Sequence, residues 1–423
     1  MAATVPKLDV PRFSLAERER RWGKVRQLMD REGIDVIVAP SNTGGRDGLQ
    51  ANVRYLTGIG VNSSPVAAVF PRHGEVTALT GPVPYPEYWL GFQDWVTDIR
   101  AKFFSEGDAI VERLRELSVD RGRIGIAGLA DVPRMPDGIV PYGIYMKIRN
   151  AFPNAELVNA TYLMDEARFV KSEEEIAFLE RAVELVEGAI ETMIREAGPG
   201  VPENVVYARM LAYMVENGGE LPTMILWAAG SPQPPTNAFM PTQRRLQQGD
   251  IITSEAEAHW GGYVGQVTIT GAIGKVPPDY ADMYRIQQEI IDRAYERFRP
   301  GVPIGELLRI GEEATQGTPY QSRMIMHSRG LGNDAPIAVF GTRDERIRNW
   351  RIEENSVFVI KPVVMTGEWV RSVSWGGSVI GGGQLASATE SGARTVCWGD
   401  SVVATPSGAR RLGKRPRNFI EIG

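Results

Sequence analysis

The residues best suited to chemistry in this chain gather in one stretch, Gly249 to Thr270, with the sequence GDIITSEAEAHWGGYVGQVTIT. A Gly-Asp turn leads into β-rich residues, Gly261-Gly262 turns the chain, and a second strand returns. A strand alternates its faces with period two, so Glu255, Glu257 and His259 are expected to point the same way. Ile251, Thr253, Val267 and Ile269 supply the apolar and β-branched content of a sheet interior. Two carboxylates and an imidazole on one face of a mostly buried hairpin are costly unless something pairs with them. That cost marks a candidate site.

The chain has three histidines, His73, His259 and His327, and one cysteine, Cys397. So few groups restrict metal and His-based acid–base chemistry to a handful of arrangements. A lone cysteine excludes a disulfide within the chain and a cysteine-based metal cluster. His73, beside Gly74 among charged residues, reads as an exposed turn residue. His259 lies about 13 Å from Glu255 by strand rise, which favours a rim or structural role.

Length and composition bound the rest. A chain of 423 residues exceeds one ordinary core, so two or three domains are expected. Hydrophobic content of 43% and charged content of 23% fit a globular α/β protein. A net charge of -5 with no basic stripe argues against nucleic acid as a partner. No apolar run approaches the roughly 18 residues of a membrane span, and the opening MAATVPKLDVPRFSLAERERR carries no hydrophobic segment of secretory type. A soluble cytoplasmic protein is the expectation.

The elements that must position the site follow from hydrophobic patterning. Residues 14 to 33 predict a helix with a Ser cap, and DVIVAP, RIGIAG (123 to 128) and ELVNAT (156 to 161) predict buried strands. AAVFPRHGEVTAL reads as a hairpin turning at His73-Gly74. Strands alternating with helices argue for a small α/β domain at the N-terminus. Beyond Arg168, Ser172 and Glu175 form a capping box before a long amphipathic helix, with Ile176, Leu179, Ala182, Val183, Val186 and Ile190 on one stripe. Gly198-Pro199-Gly200 ends it. Pro199 to Pro202 is echoed by Pro300 to Pro303: each Pro-Gly-Val-Pro follows one long helix and introduces another. The echo predicts two similar α/β halves sharing one sheet, with a cleft between them. Gly376-Gly377 and Gly381-Gly382-Gly383 read as a flexible loop near that cleft.

With these elements in order, the chain resembles the creatinase / aminopeptidase P / methionine aminopeptidase family. The resemblance rests on YLTG at 55 to 58, Arg168 to Ile176, Pro199-Gly200-Val201 and Gly408 to Gly413. It implies an α/β (α+β) protein: a small creatinase-like N-terminal domain over 1–165, then a pita-bread catalytic domain with pseudo-twofold halves over 166–423. It also implies a homodimer, with residues 41 to 54 as a loop able to approach the partner's cleft.

Peptidases of this family hold two metal ions through Asp, Asp, His, Glu and Glu. The resemblance places those positions at Glu255, Gln266, His327, Lys361 and Gly399, of which only His327 is unchanged. An ammonium beside a divalent cation is strongly repulsive, so no metal and no other cofactor is expected. Creatinase, a metal-free member, uses a histidine that falls here on Ala238, between Asn237 and Phe239.

These departures lead to a metal-independent, creatinase-like hydrolase acting on a C–N bond of a small charged non-peptide or small-amide substrate. Glu255, His327 and Lys361 are the expected catalytic residues; Glu257, Gln266, Arg329, Asp334, Tyr263 and Trp375 are the expected substrate-binding ones. Lys361 is expected to pair with Glu255 and Glu257 in the vacated metal space, either filling a hole or forming an acid–base pair whose protonation the sequence leaves open. Arg329 and Asp334 would hold a carboxylate, orient His327 or pair with each other. A lyase acting on a small charged molecule and a non-catalytic scaffold on a degenerate peptidase fold are the competing functions.

Overall fold

The computed structural model describes residues 6–41, 50–61, 65–83, 85–130, 132, 135, 137–234, 240–332, 334–338, 345–367, 373–378, 381–385 and 393–423, with backbone alone from 373 to 385. Its contacts separate two compact units, Met1–Glu174 and Glu175–Gly423.

The first unit is a six-stranded sheet flanked by helices. Its strands are β1 (Val36–Ala39), β2 (Ala67–Pro71), β3 (Thr77–Thr80), β4 (Asp98–Ala101), β5 (Arg123–Ile126) and β6 (Glu156–Asn159), in the order β4-β3-β2-β1-β5-β6. The β1–β2 and β2–β3 pairs are antiparallel; the other three are parallel. Its helices are α1 (Leu15–Glu32), α2 (Ala51–Thr57), α3 (Pro86–Phe92), α4 (Glu106–Glu116), α5 (Tyr142–Ala151) and α6 (Thr161–Phe169). The Ser14 side chain caps α1 by accepting from the Glu17 N–H. Val36, Val38, Ile124 and Ile126 of the sheet bury their side chains with Ile110, Leu114 and Ile148 of α4 and α5. The proposed approach loop at 41 to 54 is helical in its last part, within α2; its residues 42–49 lie outside the described set.

The second unit begins within the first turn of α7 (Glu173–Glu196), a helix that starts directly after Ser172, and continues with α8 (Glu203–Glu216). Then come β7 (Ile225–Gly230), β8 (Ile251–Trp260), β9 (Tyr263–Ile273), α9 (Pro278–Arg297), α10 (Ile304–Glu313), β10 (Tyr320–Ser328), β11 (Ile337–Ala338) and β12 (Val357–Thr366). The chain closes with β13 (Val373–Ser378), β14 (Gly381–Leu385), β15 (Thr395–Cys397), β16 (Asp400–Thr405), β17 (Gly408–Arg411) and β18 (Ile420–Ile422). The glycine-rich stretch read as a loop is instead an antiparallel hairpin, β13 with β14.

The Pro-Gly-Val-Pro echo is structural. Pro202 precedes α8 and bridges to Arg245, and Pro303 precedes α10 and bridges to Arg351. The expectation of a single shared sheet is corrected, however. One half has the sheet β18-β9-β8-β7, and the other has β11-β10-β12-β16-β17 with β15 also on β12. A two-residue bridge, Thr268 with Gly399, joins them: each N–H donates to the other's carbonyl, at 3.1 and 3.0 Å. Periodicity identifies strands but not which strands pair, and here each half completes its own ladder.

One face of the first half's sheet carries Trp227, Ile252, Ala256, Val267 and Ile269, buried against Leu185, Val186, Ile190 and Met210 of α7 and α8. Each buried Val, Leu, Ile or Met among them contributes about 1.5–3 kcal/mol. Gly265 lets α7 come this close, because a Cβ there would lie 2.4 Å from the Ala182 and Val183 backbone. With that face spent on helices, the opposite face is left for polar chemistry.

Candidate functional site

The polar face is built by strand register. Glu255 sits opposite Thr268 and Glu257 opposite Gln266 across the β8–β9 hairpin, so these four share one side of the sheet. In the other half Lys361 sits opposite Ile325, and Val359 opposite both His327 and Ser401. Ser401 then meets the hairpin, its hydroxyl donating to the Gln266 carbonyl at 3.1 Å. All of these residues belong to the second unit.

A chain of alternating charges runs through this face. The Lys361 ammonium donates to Glu255 Oε1 at 2.5 Å and is only 3% exposed. The same oxygen accepts from the Gln266 amide nitrogen. The Gln266 side-chain oxygen, Oε1, accepts from Arg329, through Nε at 3.0 Å and through Nη2. Arg329 Nη2 also donates to Glu257 Oε1. Each end of the Gln266 amide meets a group of one hydrogen-bonding kind, so its orientation follows from its partners. Glu257 Oε2 accepts from the Thr223 hydroxyl at 2.8 Å, and His259 Nε2, which lies 3.9 Å from that oxygen, accepts from the Thr223 N–H at 3.4 Å. Burial pushes the Glu257 carboxyl up, but the Arg329 guanidinium above all, with the Thr223 hydroxyl, outweighs it and holds the group far below the usual carboxylate range.

The expected partners are therefore partly redistributed. Lys361 reaches Glu255 as anticipated, whereas Glu257 takes Arg329. Arg329 is thus committed to Glu257 and Gln266, while its Nη1 has no acceptor among the described residues. His259 is fully buried, so it is not at a rim. His327 is also buried, with Nδ1 3.2 Å from the Ser328 carbonyl. A carbonyl can only accept, so in that contact Nδ1 carries the proton and Nε2 is the ring nitrogen left to exchange one. Asp334 is buried. Tyr263 is not brought to this face: its ring packs on Phe178 and its hydroxyl donates to Glu175 at 2.6 Å, on the helix side of the sheet. The backbone of Trp375 lies in β13, its side chain is outside the described set, and so are Asn237, Ala238 and Phe239.

Two members of the neighbourhood escaped the sequence reading. Thr223 is a lone hydroxyl before an apolar strand and gives no local signal. Cys397, used there only to exclude disulfides, stands close enough to Glu255 and Lys361 to feel both charges. Desolvation of the half-buried thiol and then Glu255 push it up to about 12 against the opposing pull of Lys361, which leaves it protonated at neutral pH. The signal available was its position two residues before Gly399.

The five metal-ligand positions of the resembled peptidases present one carboxylate, one amide, one imidazole, one ammonium and no side chain. Among the described residues no group of three or more His, Cys, Asp or Glu could hold a metal ion. Gly399 cannot simply regain a ligand, since a Cβ there would lie 2.3 Å from the Lys361 Cβ. These residues do not fit a dinuclear metal centre.

Next to this seam, burial pushes the Asp400 carboxyl up to about 6 despite its ion pair with Arg411. Its folded pKa exceeds the unfolded value near 3.9, so the folded state holds the proton longer. The stability this group contributes is full below about pH 4 and is lost as pH rises through about 6, by roughly 3 kcal/mol in all. Denaturant midpoints measured between those pH values should show the decline, and Asp400→Asn should flatten it.

The fold and face just described define an N-terminal creatinase-like α/β domain followed by a pita-bread domain. Residues 177–406 match the metallopeptidase family M24, and residues 21–170 match the creatinase/prolidase N-terminal domain. The chain belongs to family M24, a family of creatinase- and prolidase-like hydrolases. It is 23% identical to a Xaa-Pro dipeptidase of Pyrococcus horikoshii over 94% of this chain and 97% of that protein. It is likewise 23% identical to a creatinase of a Bacillus species, over 83% of this chain and 82% of the other. A solved Xaa-Pro dipeptidase from Bacillus anthracis superposes with a TM-score of 0.72 at 18% identity, covering 96% of this chain and 99% of its own. No helix among the described residues is long and apolar enough to cross a membrane.

Proposed function

We propose that this protein is a metal-independent hydrolase that cleaves a C–N bond of a small, charged, non-peptide or small-amide substrate. The observation that carries this reading is the Lys361 ammonium, 2.5 Å from Glu255 where the related peptidases place a metal ligand. His327 Nε2 takes a proton from water as the water oxygen bonds to the substrate carbon. The C–N bond then breaks, and the proton passes from His327 to the departing nitrogen. Lys361 and Glu255 orient the substrate, and Arg329 Nη1 offers a donor to a substrate oxygen. The protein would work in the cytoplasm as a homodimer; gel filtration at micromolar concentration giving a monomer would count against the dimer.

A second reading, a non-catalytic binding protein, draws support from the internal compensation of both carboxylates, Glu255 by Lys361 and Glu257 by Arg329. Metal analysis of the purified protein, with activity screening against small amides and guanidino compounds before and after chelation, tests the proposal. Turnover that survives chelation, without stoichiometric metal, is the expected result. Bound stoichiometric metal with chelator-sensitive turnover would overturn it. Incorporation of solvent oxygen into the product separates hydrolysis from a lyase reaction.

A further inference from the structure

The Glu255–Lys361 pair is set between two aliphatic side chains. Across β7 and β8 Leu226 sits opposite Glu255, and across β10 and β12 Ile325 sits opposite Lys361. Direct cross-strand partners share one face of a sheet, with Cβ atoms about 4.5–5.5 Å apart. The carboxylate and the ammonium themselves meet at 2.5 Å. Leu226 and Ile325 thus flank a single ion pair, one on each side of it.

Exposure follows the same alternation. Leu226, Thr253 and Glu255 are half-buried, whereas Ile225, Trp227, Ile252 and Ala256 between them are enclosed against α7 and α8. Ile325 is half-buried too, whereas Met324 and Met326 on either side are enclosed. The helix side of β10 is the methionine side, since a Cβ on Gly311 of α10 would lie 2.9 Å from the Met324 Cβ. Cys397, opposite Val363 and so on the same face as Lys361, is again half-buried. A protonated thiol packs as a small hydrophobe. Beside the charged pair, both sheets therefore offer aliphatic surface that water can reach at the middle of strands.

Glu255 already accepts from Lys361 and from the Gln266 amide, so the pair presents little net charge. A wholly ionic ligand would leave Leu226 and Ile325 wet. Covering them with an aliphatic group gains about fourfold in affinity per methylene. We propose that Leu226 and Ile325 form a specificity wall, selecting a substrate that carries a short aliphatic chain beside its C–N group. This rests on the reading of the Glu255–Lys361 face as the substrate site. The polar end of such a substrate lies towards Arg329, whose Nη1 has no acceptor among the described residues.

Titration of the full chain with acetamide, propanamide, butanamide and pentanamide, followed by ligand-observed NMR, tests the wall. Affinity is expected to rise about fourfold with each methylene. Leu226→Ala and Ile325→Ala should each cut that increment to about twofold or less, because they remove surface the methylenes cover. Leu226→Phe keeps the strand apolar and should reject pentanamide while still taking acetamide. Leu15→Ala, at a leucine of α1 that is 50% exposed, should change nothing and controls for unspecific contact. Affinity that climbs along the series without turnover would sink the hydrolase reading and leave the wall in place. Affinity that does not grow with chain length, as when the protein covers this surface with its own chain, would overturn the proposal. So would growth that the Leu226 and Ile325 variants leave unchanged.

Discussion

Lys361→Ala is expected to cut turnover steeply and to destabilise the second unit by about 3–5 kcal/mol, the usual penalty for stripping one partner from a buried ion pair. Lys361 is 3% exposed and Glu255 19%, so water has little access to replace the ammonium. The loss of rate should reach about a hundredfold or more if the pair orients the substrate. Stability and rate are separable in a second variant. Lys361→Met with Glu255→Gln removes both charges, and should recover much of the stability while leaving turnover lost. Single-turnover rates and denaturant melts of both proteins check this. Full turnover in Lys361→Ala would end the proposed role for Lys361.

Arg329→Met is the second large effect. Glu257 is fully enclosed and keeps its charge chiefly because Arg329 outweighs the cost of its burial. Without the guanidinium, Glu257 must take up a proton or lose its place, and Gln266 loses the donors on its side-chain oxygen. A destabilisation of about 3–5 kcal/mol is expected at neutral pH. It should shrink as pH falls, because a depressed carboxylate contributes stability above its unfolded pKa that acid removes in any case. Equilibrium unfolding of the wild type and Arg329→Met across the acid range checks the sign. Glu257→Gln in the Arg329→Met background should restore part of the loss.

The parts of the site that were legible in the sequence are those that strand alternation or the family resemblance could place. Alternation put Glu255 and Glu257 on one face, and the resemblance brought Lys361 into the same space as Glu255. The partner of Glu257 was not legible. Choosing between Lys361 and Arg329 requires the distance between β8 and the end of β10, which are separated by some sixty residues of chain and lie in different sheets. Tyr263 shows the limit of motif reasoning in another way. It sits beside the hairpin turn, but its place on the alternation sends its hydroxyl to Glu175 of α7. The Pro-Gly-Val-Pro echo correctly signalled duplicated helix pairs, whereas the separation into two sheets depends on hydrogen-bond ladders that no repeat encodes. The helices themselves were readable because capping and stripe patterns are local, as Ser14 and the Ile176-to-Ile190 face illustrate.

The close approach of Gly399 to residue 361 limits what position 399 can carry. The obstructing atom is the Lys361 Cβ, 2.3 Å from where a Cβ on residue 399 would stand. Every residue except glycine has that atom, so trimming Lys361 to alanine or exchanging it for glutamate leaves the obstruction in place. Regaining the lost carboxylate at 399 would require the turn between β15 and β16 to draw back from β12, and with it the bridge to Thr268. No single substitution at position 399 would therefore place a carboxylate there without moving the backbone.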